Sequence, residues 1–430
     1  MAIPDWLLQV LGWTLGAGAA TSAVLWALVW LVVLQSTRAV PTLRLGQRLA
    51  EADPPTGRVC VVIPAHNESR TIAGLVRSLR AETYPQFDVV LALDRCTDDT
   101  AAVARAEIAG DPRFEIVEIG ACPDDWAGKV HAAHSGVTRG RAAAHAGHLL
   151  FADADTVFSP GCIAASLAMM RQRELDFLSL LSTLIYDKWF TCVVQTAAAL
   201  ELMRQYPLAR ANARTDRRAF ANGQFMLFTR DAYDAVGGHA AVKAALLEDI
   251  ALARLIESHR RNAGVFLAAG LFHCRMYEDW PRFRQGWKRI YTEAANRKSR
   301  RLSVSALRIR CLGTVFPLWM LGCGMVGAIV VARDARMGWT LVALALVATT
   351  CWLGALMRVS SLAGAPAWTA PLHIVGAWLT GGVLSEAARD LRSRRPVSWG
   401  GREYDLGADQ AATGRPAGER RPTSGSRTPK

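Results

Sequence analysis

Leu149-Leu150-Phe151-Ala152-Asp153-Ala154-Asp155 is an apolar run that stops on two carboxylates. The run reads as a buried strand, so the aspartates stand at a strand end rather than in a solvated turn. Two carboxylates at that spacing can share a divalent cation and a ribose hydroxyl. Mg²⁺ or Mn²⁺ suits such oxygen ligands when substrate phosphates complete the shell. There the cation offsets charge developing on a departing nucleotide diphosphate. Asp155 and Asp153 are therefore the candidate metal ligands.

Upstream of this strand the same pattern repeats. Val59–Ile63, Val89–Leu93 and Phe114–Ile119 are short apolar or β-branched runs, separated by helical spacing over Ser69–Arg80 and Thr100–Ile108. Strands alternating with helices predict a parallel sheet with helices on both faces, and ligands bind such sheets at the strands' carboxyl ends. The polar clusters occupy those ends. Pro64, Ala65, Asn67 and Glu68 follow the first strand, and Asp94 opens the cluster after the second. The first loop is placed against a nucleotide base and ribose, and an Asp94-side carboxylate against the base edge. Local helix capping by Asn67 or Ser69 is the competing structural reading.

In combination these motifs resemble the family 2 glycosyltransferases. Val-Val-Ile-Pro-Ala-His-Asn-Glu (61–68), Asp-Arg-Cys-Thr-Asp-Asp-Thr (94–100) and Asp-Ala-Asp (153–155) stand in that family's order. The likeness continues in Trp126-Ala127-Gly128-Lys129, where the resemblance puts Lys129 near the donor pyrophosphate. Phe220–Phe225, with Asn222, Gly223 and Gln224, and Gly237-Gly238-His239 are similar to acceptor-side loops of membrane-bound members acting on carotenoid or hopanoid lipids. Glu248-Asp249 matches the catalytic Glu-Asp element, whose aspartate is the expected base. Trp399-Gly400-Gly401-Arg402-Glu403-Tyr404 resembles those relatives' ending and brings Arg402 to the acceptor side. Processive relatives carry Q-x-x-R-W, whereas this chain has Gln285 and Trp287 at altered spacing, which favours a single transfer over polymer synthesis. Arg95 stands where many relatives have glycine or asparagine. The resemblance spans about Arg58 to Tyr404. It implies an α/β GT-A (nucleotide-diphospho-sugar transferase, Rossmann-like) domain and inverting transfer from a nucleotide-diphosphate sugar to a membrane lipid. A sphingolipid-type or polyprenyl-phosphate acceptor, or a catalytically silent scaffold, are the rival readings.

The Glu248-Asp249 pair also carries its own physics. It opens a helix whose Leu252 and Leu255 face inward, and a helix N-terminus stabilises negative charge, keeping an aspartate ionised to accept a proton. Arg254 is a candidate partner for Glu248. His131 and His134 have no third ligand in reach and are read as helix-surface residues.

The 430 residues are 51% hydrophobic and 20% charged, with a mean hydropathy of +0.15, which excludes a disordered chain. Nine scattered cysteines without a C-x-x-C exclude a disulfide framework and a thiolate zinc site. The serines lack a G-x-S-x-G setting for a hydrolase triad. A net charge of +13, concentrated beside apolar stretches, points to a membrane surface and away from nucleic acid. Residues 7–34 are long and apolar enough to anchor the chain. Basic residues follow that segment, so the positive-inside rule places the rest in the cytoplasm. The expected organisation is an anchor at 7–34, a cytoplasmic GT-A domain at 55–300 and membrane helices at 311–388. A basic juxtamembrane segment at 389–406 and a disordered tail at 407–430 complete it, in a multi-pass inner (plasma) membrane protein. Four full crossings would put the basic tail outside, so one C-terminal apolar block is expected to be re-entrant or interfacial. Trp280–Tyr291 and Tyr186–Leu208 are read as membrane-contact segments or core packing.

Overall fold

The computed structural model describes residues 4–38, 41–213, 215–393, 397–399, 402–404 and 414–416. Strands β1 (Val59–Ala65), β2 (Phe87–Asp94), β3 (Phe114–Ile119) and β4 (His148–Ala152) lie in the order β3-β2-β1-β4 and run parallel. β5 (Thr156–Phe158), β6 (Phe177–Leu181), β7 (Thr183–Leu184), β8 (Phe225–Thr229), β9 (Ala263–Leu267) and β10 (Phe272–Cys274) follow in the chain. The seven-stranded sheet continues past β4 as β8-β6-β9.

The four strands from which a parallel sheet was expected are parallel, and the sheet changes character beyond them. The sheet is mixed, because β8 runs antiparallel to both β4 and β6. Its reversal has a direct consequence. Phe225 pairs with Ala152, so the residues just before β8 arrive at the same sheet end as the residues just after β4. β5, β10 and β7 form a second, three-stranded sheet beside that end.

Both faces of the main sheet are covered, which is why its strands read as unbroken apolar runs. Val59, Val61 and Ile63 of β1 pack with Leu75, Leu79 and Phe272. Cys60 and Val62, pointing the other way, pack with Val130, Leu252 and Ile256. Fully burying such a side chain contributes about 1.5–3 kcal/mol.

Among the described residues, three helices are long and apolar enough to cross a membrane: Trp6–Gln35, Ser299–Val330 and Ala335–Ala363. The last apolar block differs. Ala367–Leu372 is a 3₁₀ turn containing Pro371, and His373–Arg392 is a separate helix. Proline withholds a backbone donor and interrupts the continuous helix a crossing requires. The His373–Arg392 helix packs instead on the Trp280–Ala294 and Ser299–Arg310 helices. Its Glu386 meets Arg284 at 2.5 Å, and its Asp390 pairs with Lys288.

The aromatic stripe of Trp280–Ala294 faces inward. Phe283, Trp287 and Tyr291 recur every fourth residue and are buried with Phe190 and Leu384, so this face is packed core rather than lipid boundary. Within Tyr186–Leu208, Phe190 and Tyr206 are buried while Trp189 is exposed. The tail predicted over 407–430 lies outside the described residues except for 414–416, and the side chain of Arg402 lies outside them as well.

Candidate active site

β4 ends at Ala152, and the Asp153–Asp155 turn that follows is fixed by backbone contacts. Thr156 Oγ1 donates to the Asp153 carbonyl at 2.7 Å, and the Arg275 amide donates to the Asp155 carbonyl at 3.2 Å. Lys129, in the first turn of the Gly128–Arg139 helix, spans two carboxylates. Its Nζ lies 2.6 Å from Asp153 Oδ1 and 2.7 Å from Glu248 Oε1. Glu248 thus pairs with Lys129, not with Arg254 further along the same helix. Asp249, beside it in the first turn of Glu248–Ser258, accepts from the Gly223 amide at 2.9 Å through Oδ2. Its Oδ1 accepts from the Ile250 amide at 2.7 Å.

Gly223 sits against all three charged groups. A Cβ there would lie 3.2 Å from Asp249 Oδ2, 3.2 Å from Glu248 Oε1 and 3.3 Å from Lys129 Nζ. The flanking Asn222 donates from Nδ2 to the Leu180 carbonyl (2.9 Å) and to Gln224 Oε1 (3.2 Å), and Ser182 Oγ also donates to Gln224 Oε1. Asn222 and Gln224 thereby brace the backbone that carries the Gly223 amide. Lys129, Asp153, Gly223, Glu248 and Asp249 form one cluster.

Burial first, then repulsion from Asp153 and Glu68, push the Asp155 carboxyl well above its ordinary range. Its Oδ1 is buried without a hydrogen-bond partner. A buried carboxylate oxygen in that condition is costly unless a cation meets it, so these residues fit a divalent ion. No group of three or more His, Cys, Asp or Glu ligands exists among the described residues. A two-carboxylate end suits an ion that draws its remaining ligands from phosphates and water.

The other carboxylates separate by environment. Burial pushes Asp153 up against the pull of Lys129. Burial would also raise Glu248, but the Lys129 ammonium outweighs it and holds Glu248 low. Lys129 is raised, because Asp153 and Glu248 together exceed the opposing effect of burial. Asp249 is pushed up to about 6 by burial and by its neighbour Glu248. The helix N-terminus was expected to keep this aspartate ionised. Desolvation moves it up to just below neutrality, so it is still mostly ionised at neutral pH, in the range that suits a group accepting a proton.

On the other side of the sheet end, the loops after β1 and β2 are laced together. Asn67 adopts a left-handed backbone (φ 56°), and its Oδ1 accepts from the Thr97 amide at 2.8 Å. Thr71 Oγ1 donates to Glu68 Oε2 at 2.6 Å, and the Glu68 amide donates to Thr100 Oγ1 at 2.7 Å. Pro64 and Ala65 are the buried last residues of β1. Asp94 is 2% exposed and gripped by Arg95 through two bonds of 2.9 and 2.6 Å. The Asp94 carboxylate is therefore engaged by Arg95, and the guanidinium is the more exposed partner. Arg95's departure from the family pattern was the signal that it belongs here.

A cavity of about 650 Å³ opens beside Asp249. Asn222, Gln224 and Trp287 also border it, and its far wall is Leu25, Leu28, Val29 and Val32 of the first long apolar helix. Gln285 and Trp287 do not act together. Two positions on a helix are about 200° apart, so Trp287 faces the cavity while Gln285 is exposed. His239 does not line the cavity; it lies behind the cluster, close enough to feel the charges of Glu248 and Lys129. It is 1% exposed, hydrogen-bonded to Tyr233 at 2.9 Å and packed on Phe151, and burial lowers its imidazole to about 3. His131 and His134 pack on Trp126. The remote cavity lining (Trp26, Met276, His373) carries no motif, and only its apolar character was visible in the sequence.

The family described as "Glycosyltransferase like family 2" matches residues 54–279. The 4,4'-diaponeurosporenoate glycosyltransferase of Staphylococcus aureus (strain USA300) is 26% identical over 359 residues, which cover 81% of this chain and 89% of that protein. Among solved structures, a mannosyltransferase from Pyrobaculum calidifontis in complex with GDP-Man and Mn²⁺ aligns at 15% identity and a TM-score of 0.45, covering 90% of this chain and 100% of that one. S. aureus TarS 1–349 in complex with UDP-GlcNAc aligns at 13% identity and a TM-score of 0.39, covering 81% of this chain and 94% of that one. With more than half of its 430 residues inside the family match, this chain belongs to the family 2-like glycosyltransferases and carries their GT-A domain.

Proposed function

We propose that the enzyme transfers a sugar, with inversion, from a nucleotide-diphosphate donor to a hydroxyl or carboxyl group of a membrane lipid, an isoprenoid of carotenoid or hopanoid type. The observation that carries this reading is the cavity. It is walled by an apolar helix long enough to span a bilayer, and it ends at Asp249. A water-soluble acceptor has no use for such a wall, whereas a lipid tail does.

Asp249, held by the Gly223 and Ile250 amides, takes the acceptor proton. The acceptor oxygen then bonds to the anomeric carbon from the face opposite the nucleoside diphosphate, whose C–O bond breaks. Lys129, fixed between Asp153 and Glu248, presents a lasting positive charge to the diphosphate. Asp155, with Asp153, would hold a divalent cation, Mg²⁺ or Mn²⁺, which offsets charge on the leaving group when bound.

Three crossings fit the charge pattern. With the N-terminus outside, Arg38 and the catalytic domain are cytoplasmic, Ser299–Val330 leads out and Ala335–Ala363 leads back. Arg389 and Arg392 then return to the cytoplasmic side, as the positive-inside rule requires. The test is lipid mass spectrometry on membranes incubated with the full chain and UDP- or GDP-linked hexoses. A hexose mass increment on an isoprenoid species is expected. Sugar appearing only on water-soluble products or as polymer would refute the reading.

A further inference from the structure

The cavity wall contains one polar group that its surroundings leave unanswered. His373 is 4% exposed and borders the cavity, and its Nδ1 has no hydrogen-bond partner. Its neighbours do not supply one. The Trp26 ring stands edge-on at 6.0 Å, and Thr314 Oγ1 is committed to the Ile374 carbonyl at 2.7 Å. The other polar groups on the wall are also spoken for: Arg308 Nη2 reaches both oxygens of Glu201 at 2.7 and 3.0 Å, and Arg204 holds the same carboxylate.

The backbone around His373 is shaped to keep it there. Gly313 lies in a π-helical turn (Cys311–Val315), an insertion often found at functional sites. A Cβ at Gly313 would come 3.2 Å from His373 Nε2 and 2.4 Å from Ala377 Cβ, so only glycine lets the imidazole approach this closely. A buried water needs two to four polar partners to be held, and the polar side chains Glu201, Arg204 and Arg308 on this mostly apolar wall are already engaged with one another.

We propose that His373 recognises a second oxygen function on the acceptor, a hydroxyl or carbonyl away from the end that receives the sugar. This rests on the lipid-acceptor reading above. A neutral imidazole both donates and accepts, so either function satisfies it. Asp249 and His373 border the same cavity, and one elongated molecule with oxygen at two places along it engages both. The chemical class is an otherwise apolar lipid oxygenated at two positions, and His373 is a specificity-determining residue for it.

The experiment measures binding of long-chain primary alcohols and chain-matched α,ω-diols, across a series of lengths. The full chain in nanodiscs is used, with competition against a fluorescent acyl probe. A purely apolar site prefers the mono-alcohol at every length, because the second hydroxyl must be desolvated. At the length that spans the cavity, the wild type is expected to reverse that order. His373→Leu should weaken diol binding about tenfold and leave the mono-alcohol as tight or tighter, while His373→Gln, which still hydrogen-bonds, should restore the diol preference. If the wild type prefers the mono-alcohol at all lengths, or His373→Leu shifts both alcohols alike, the role of His373 is overturned and the lipid cavity stands. Failure of the wild type to bind either alcohol would overturn both readings.

Discussion

Replacing Asp249 by asparagine separates catalysis from stability, because the two should move in opposite directions. Loss of a positioned general base slows transfer by about 10²–10⁴-fold, a barrier increase of roughly 3–5 kcal/mol. Stability follows from the carboxyl's displacement from 3.8 to about 6. The folded state holds the proton more tightly than the unfolded chain, so stability falls as pH rises from about 4 to about 6. Above that it carries a constant penalty on the order of 3 kcal/mol. Asparagine removes the penalty at neutral pH. It keeps one acceptor for the Gly223 and Ile250 amides and gives up the other, at a cost of about 1 kcal/mol. The variant should therefore melt at the same temperature as wild type or higher, yet be nearly inactive. The wild-type rate should climb with unit slope through about pH 6 to a plateau. The assay is transfer of radiolabelled sugar by the full chain in nanodiscs, paired with a thermal melt. Turnover by Asp249→Asn within about tenfold of wild type, or a flat wild-type profile between about pH 5 and about pH 7, refutes the base assignment.

Asp155→Asn removes the buried carboxylate whose Oδ1 has no partner. Wild type should gain thermal stability on adding Mn²⁺ with a nucleotide sugar, and the variant should lose that gain without melting earlier in its absence; an undiminished Mn²⁺ response excludes the site. Gly223→Ala forces a methyl group to within 3.2 Å of Asp249 and Glu248. At about 1–3 kcal/mol of overpacking, kcat should fall at least about tenfold with donor affinity retained, as read by steady-state kinetics and donor titration. Val29→Trp fills the lipid-side wall of the cavity. It should raise KM for the lipid acceptor about tenfold or more and leave nucleotide-sugar binding unchanged, a split that an effect on folding alone would not produce.

The donor half of the site was legible because its signals are local. Each of β1, β2 and β4 is an apolar run ending in polar residues, and the strand's own direction sends those residues to one edge. Side-chain partners were less visible. That Arg95 covers Asp94 depends on a rotamer choice at a residue that is itself left-handed (φ 48°), and that Lys129 takes Glu248 from Arg254 depends on contacts across 119 positions of sequence. The cavity was hidden for a further reason. Leu25, Leu200, Ala363 and His373 come from four separate segments, and in each the apolar residues are explained equally well by lipid contact or by core packing. The aromatic stripe of Trp280–Ala294 shows the same ambiguity. Periodicity gives it an apolar face, but only the Phe190 and Leu384 partners decide that the face is buried in protein.

The meeting of the proposed donor crevice and the proposed lipid-side cavity turns on the direction of one strand. In a sheet that stayed parallel beyond β4, β8 would begin at the opposite edge, and Asn222, Gly223 and Gln224 would lie a strand's length away, about 17 Å for five residues. The Gly223 amide would then be out of reach of Asp249, and the base would lose one of its two backbone donors. Reversed, β8 starts where β4 stops. It sets Gly223 between Lys129 on the donor side and Asp249 on the cavity side, and it commits Asn222 and Gln224 to bracing that position while both border the cavity. Under the proposed function, an antiparallel strand inserted in a parallel sheet is thus the element that lets one short loop serve both substrates. For that reason the smallest change at Gly223 should disturb transfer more than binding of either substrate alone.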